Sequence, residues 1–177
     1  MALSLLNTNE VQVARLVKAL YNAAPGYTFM TNFSGYAAAK GLNGLAEGLV
    51  ADFAANDNAT LAAAVATNVG LTDAALTAAT AYLQGQFEFY GAAKRGQVIL
   101  DAVNGLSNLT ADATYGAAAT AFNDTIATSV AYSSNSSNNS TTLATLQAAI
   151  VPSGSTIALT SGTDLSLIHI SEPTRLL

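Results

Sequence analysis

Cysteine and tryptophan are absent from this sequence, proline occurs three times and histidine once. Without cysteine, a disulfide framework, thiol catalysis and thiolate metal sites are all excluded, as is common in exported bacterial proteins. Charge is also scarce: Asp, Glu, Lys and Arg make up 10% of 177 residues, against about 25% in average proteins. The polar surface must therefore come from Thr, Ser, Asn and Gln. Six Lys and Arg against eleven Asp and Glu leave a net charge of −5. That balance argues against a nucleic-acid partner, because neutralising phosphates needs clustered cations. No stretch approaches the roughly eighteen uninterrupted apolar residues of a membrane span, so none is expected. The opening MALSLLNTNE lacks the basic and long apolar regions of a Sec-type signal peptide.

What is present is apolar and helical in rhythm. Hydrophobic residues reach 51%, and a chain of this length buries roughly 70% of its unfolded surface as one domain. Val13, Leu16, Val17 and Leu20 recur at three- and four-residue intervals, with Asn7 and Glu10 as an expected capping pair, ending near Pro25-Gly26. Tyr27, Phe29, Met30, Phe33 and Tyr36 make an aromatic second segment, continued by Leu42, Leu45, Leu49 and Phe53. A short helix over Leu61 to Val69 should close at Asn68 and Gly70, and Thr72-Asp73 should cap a long one that ends at Gly91. Ile99, Val103 and Leu106 line the next helix, whose interior Gly96 and Gly105 suggest close helix approach or frayed ends. Tyr115, Ala119, Phe122, Ile126 and Val130 form the stripe of the last long helix.

After Tyr132 the texture changes. The run Ser133-Ser-Asn-Ser-Ser-Asn-Asn-Ser140 offers nothing apolar to bury and reads as a flexible linker. Thr141 to Ala149 suits one more short helix, and Thr156 to Thr160 alternate polar and apolar as a strand does. The organisation expected is therefore mainly α: a bundle of about six helices over 1–132, a linker over 133–153, and the start of a β-rich region over 154–164. The string LSLIHISEPTR at 165–175 resembles the translation of a transposon-end sequencing adapter. Residues 165–177 are accordingly expected to be an artefact, His169 with them, and the natural chain is expected to run on past Asp164.

Catalytic signatures are lacking: there is no G-x-S-x-G, P-loop, H-E-x-x-H or dinucleotide fingerprint. Gly41-Leu-Asn-Gly44 has neither the third glycine nor a preceding strand, and suits a helix start or a packing contact. Asp52 with Asp57, or Asp73 with Asp101, would be carboxylate pairs by count alone, and capping or solvation explains each. No catalytic or metal-binding residue is expected. The cations outside the tail are Arg15, Lys18, Lys40, Lys94 and Arg95. Solvation is their plain role; the sharper expectation is that they meet anionic sugar or lipid phosphates.

The segments AALTAATAYLQGQ, RGQVILDAVNGL and DATYGAAATAFNDTIATSVAYS, with the exit GSTIALTSGTD, resemble the N-terminal helical domains of bacterial surface-layer and calcium-binding repeats-in-toxin (RTX) exoproteins, including those with a DUF4214-like module. The resemblance implies a non-enzymatic structural protein, exported by a type I route to the surface of a Gram-negative cell. Its helical domain would anchor a surface layer to lipopolysaccharide, and copies could touch one another. Calcium would belong to downstream glycine–aspartate repeats, of which this sequence has none, and no cofactor is expected here. An adhesin or lattice-contact module is the alternative; an RTX-linked enzyme and a phasin-like intracellular protein fit less well.

Overall fold

A computed structural model describes residues 8–151, and among these it shows seven α-helices. They are α1 (Asn9–Tyr21), α2 (Gly26–Val50), α3 (Asn58–Asn68), α4 (Asp73–Tyr90), α5 (Arg95–Ser107), α6 (Gly116–Ser133) and α7 (Leu143–Ala148). Single 3-10 turns, Ala51–Phe53 and Ala92–Lys94, follow α2 and α4. The chain is thus mainly α, as the spacing implies. The expected β segment at 154–164, the tail with His169, and Asn7 lie outside the described residues.

The first helix is the axis of the bundle. It packs against α2, α3, α5 and α6, so every residue from Val11 to Val17 is buried, the polar Gln12 and Arg15 included. Its cap is Thr8, whose hydroxyl accepts from the Val11 N–H at 3.4 Å. The cap is thus Thr8 rather than the expected Asn7, and Glu10 sits in the first turn.

Around this axis the stripes of α5 and α6 face inward, whereas Tyr27 and Tyr36 of α2 and Tyr82 of α4, at helical spacing in the sequence, are exposed. Phe87 of α4 and Phe122 of α6 are each 1% exposed, and burying such a ring contributes about 1.5–3 kcal/mol. Val130 is only half-buried, because Ser129 and Ser133 take the inner face at the end of α6. The two apolar segments expected over 27–53 are one helix broken at Gly41, whose φ of 80° and ψ of 158° interrupt the helical backbone. Gly41-Leu-Asn-Gly44 therefore marks a helical restart. At the end of α3, Leu71 N–H reaches the Ala66 carbonyl at 3.2 Å and Gly70 N–H that of Thr67 at 3.0 Å. This pair of bonds is the expected glycine-type close.

Close approach explains Gly96. A β-carbon there would stand 2.4 Å from the Ala46 carbonyl carbon, so α5 lies directly on the backbone of α2. The N-terminus of α5 is capped from across that contact: Glu47 of α2 accepts from the N–H groups of Gly96 and Gln97, both at 3.1 Å. A carboxylate at a helix N-terminus satisfies orphan donors and complements the helix dipole.

The Ser/Asn tract, expected as a flexible linker, instead forms turns laid on the corner between α1 and α2. Asn138 donates to the Tyr132 carbonyl at 2.8 Å and accepts from the Tyr27 N–H at 2.8 Å. The α7 helix then closes the corner. Its Leu146 carbonyl accepts from Ala24 N–H at 2.9 Å, Gln147 donates to the Tyr21 carbonyl at 3.0 Å, and the Leu146 side chain is buried. The Asn138 side chain thus bonds back to the end of α6 while its main-chain carbonyl holds the tract to α2.

Candidate functional sites: an aromatic groove and a tyrosine cleft

The five predicted cations do not form one face. Arg15 is 2% exposed and belongs to the core. It donates to Asn104 Oδ1 at 2.8 Å and Ser107 Oγ at 2.7 Å. Ser107 in turn donates to Asn123 Oδ1 at 2.7 Å, and Asn123 returns a bond to the Ser107 carbonyl at 2.9 Å. This network ties α1 to α5 and α6, and burial lowers the guanidinium pKa. The expectation that Arg15 meets a sugar phosphate is thereby corrected: its polar end is directed into the bundle.

Lys18 is half-buried and donates to the Asn68 carbonyl and to Asn22 Oδ1, joining the ends of α1 and α3. Burial lowers its pKa to about 8. Arg95 is half-buried as well, donating through Nε to Asn58 Oδ1 at 2.9 Å and through Nη to the Asn56 carbonyl at 3.1 Å. It holds the loop before α3, where Asp57 accepts from Thr60 N–H at 2.7 Å and has its carboxyl pKa lowered by that bond. Lys40 and Lys94 alone of the five are exposed.

Lys94 stands in a cleft of about 340 Å³ between α4 and α5. Tyr82, Gln86 and Tyr90 line it from successive turns of α4, and Gln97 and Asp101 from successive turns of α5, since residues four apart share a helix face. Tyr82 is 59% exposed and Tyr90 55%, so both rings are open to an entering group. The cleft combines ring faces, two amides, one cation and one carboxylate.

A larger groove of about 630 Å³ opens where α1, α2 and α7 meet. Its walls are Tyr21, Phe29, Phe33 and Tyr36, with Pro25, Leu45, Leu49 and Leu146 among the apolar lining. Phe29 and Phe33 stack with centroids 5.5 Å apart. At the mouth, Tyr21 donates to Asp52 Oδ2 at 2.6 Å. Burial first, then the bond to Asp52 and its charge, push the Tyr21 phenol well above its usual range. The sequence shows Phe29, Phe33 and Tyr36 as an aromatic segment at helical spacing and does not single out Tyr21; that they line an open groove depends on the return of α7, whose Leu143 and Leu146 complete the lining.

The carboxylate pairs considered from the sequence have separate roles. Asp52 meets Tyr21, Asp57 caps α3, Asp73 begins α4, and Asp101 lines the tyrosine cleft. The Thr72 side chain makes no capping bond to α4. Among the described residues no three His, Cys, Asp or Glu side chains gather as metal ligands would, and no helix is long and apolar enough to cross a membrane. Compared with family models, curated proteins and solved structures, the chain matches none.

Proposed function

We propose that the helical body is a non-enzymatic attachment domain of a bacterial cell-surface structural protein, anchoring a surface layer by binding lipopolysaccharide. The observation that supports this most is the cleft between α4 and α5, where Lys94 stands with two tyrosines and two glutamines. Aromatic faces accept the C–H face of a pyranose ring. Amides and Asp101 exchange hydrogen bonds with its hydroxyls, and an ammonium makes a charge-assisted bond to a phosphate or sugar carboxylate. Extracellular location, type I export and calcium in β-rich repeats come with the surface-layer resemblance and form part of the same proposal.

The experiment is co-sedimentation with purified lipopolysaccharide or with cells stripped of their surface layer, with and without calcium. The protein is expected in the pellet, and Lys94→Glu combined with Tyr82→Ala should return most of it to the supernatant. Wild-type protein that stays soluble under both conditions overturns the attachment role. The lattice-contact alternative draws on Phe89, which is 79% exposed and stacks edge-on against Tyr90 at 4.8 Å. A protein that fails to pellet yet self-associates, and loses that association on Phe89→Ser, supports lattice contact instead.

A further inference from the structure

The groove between α1, α2 and α7 is separate from the tyrosine cleft and does not depend on the attachment proposal. Its volume of about 630 Å³ falls in the range of small-molecule sites, roughly 300–1,000 Å³. Four aromatic side chains line it: Tyr21, Phe29, Phe33 and Tyr36. Asp52 is the one acidic residue among the lining residues, and no Lys, Arg or His is among them. Tyr21 fixes one oxygen of that carboxylate by donating to it at 2.6 Å. Asp52 is exposed and lines the groove, so its carboxylate is accessible to an entering group.

Charge and surface chemistry together select the occupant. Ring faces carry negative electrostatic potential and attract cations that come within about 6 Å of the centroid. A carboxylate at the rim adds attraction of the same sign and opposes an anionic headgroup. The apolar remainder of the wall favours a ligand with a hydrocarbon body. We propose that this groove binds an organic cation with an apolar body, of the quaternary-ammonium or protonated-amine class, with its charge between the aromatic rings and Asp52.

The test uses the full chain and three probes of similar shape: benzyltrimethylammonium, its neutral carbon isostere neopentylbenzene, and benzoate. Binding is followed by calorimetry, and its location by NMR shifts at Gly48 and Leu49, which line the groove. The ammonium should bind about tenfold more tightly than the isostere, and benzoate should not bind. Asp52→Asn should remove most of that preference, and Tyr36→Leu, at a ring already 47% exposed, should weaken the ammonium. Glu88→Gln, at an exposed carboxylate outside both clefts, should leave binding unchanged, with circular dichroism checking the fold of each variant. Equal binding of the ammonium and its isostere, tighter binding of benzoate, or no saturable binding of the ammonium overturns the proposal. Loss of lipopolysaccharide binding with ammonium binding intact would sink the attachment role alone.

Discussion

Lys18 shows how one residue in the packed region between α1 and α3 can set a pH response. Burial holds its pKa near 8 in the folded protein, whereas an unfolded lysine titrates near 10.4. Between those values the unfolded chain holds a proton that the folded chain has released, so stability rises with pH over that interval. Below pH 8 both states are charged and the cost of burying the ammonium is present in full. Tyr21 acts oppositely at higher pH: its raised pKa means the folded state keeps a proton that the unfolded chain loses above about pH 10. Denaturant midpoints should therefore climb from pH 8 toward 10 in the wild type, and Lys18→Met should flatten the climb. A wild-type midpoint that falls across that interval would contradict this assignment. Arg15 and Lys18 look alike in the sequence, two cations three apart beside an apolar stripe. Neither burial was legible there, because periodicity identifies one inward face and cannot reveal that α1 is surrounded on several sides.

At the level of elements, contrast between two glycines of α5 separates packing from propensity. Glycine inside a helix costs about 1 kcal/mol relative to alanine, so each position would gain from substitution if nothing else intervened. Gly105 is exposed and a β-carbon there meets nothing within 4 Å. Gly105→Ala should raise stability by about 0.5–1 kcal/mol. At Gly96 the added carbon would lie 2.5 Å from the Ala46 carbonyl oxygen. Gly96→Ala must push α5 away from α2, straining the bonds from Glu47, and should cost about 1–3 kcal/mol. Chemical denaturation of the two variants checks both signs, and a stabilised Gly96→Ala would show that the helices separate without penalty. Helix positions were readable from the sequence because apolar stripes, Asp57 and the glycines at 70 and 91 are local signals. The cap on α5 was not, since Glu47 precedes its partners by some 49 residues, and no local pattern records that distance.

Over the whole molecule, the question is whether the segment after α6 belongs to the bundle. The Ser/Asn composition suggested a boundary near residue 133, but the turns of 134–142 and helix α7 contribute specific bonds to the α1–α2 corner. Leu146 is buried there, 2.8 Å from where a β-carbon of Gly26 would stand. Residues Thr141, Leu143 and Leu146 also complete the wall of the aromatic groove. A chain ending at Tyr132 would lose this cover, leave the Ala24 and Tyr27 N–H groups to find new partners, and expose the rings of Phe29 and Phe33. Removal of the Leu146 side chain alone should cost about 2–5 kcal/mol, and truncation should cost more. We expect the truncated chain to melt at a markedly lower temperature than one ending at Val151, to bind an apolar dye, and to lose the preference for benzyltrimethylammonium. Lipopolysaccharide binding through the α4–α5 cleft should survive at temperatures where the truncated bundle remains folded. Equal melting temperatures for the two chains would restore residue 133 as the boundary and leave the groove without its third wall.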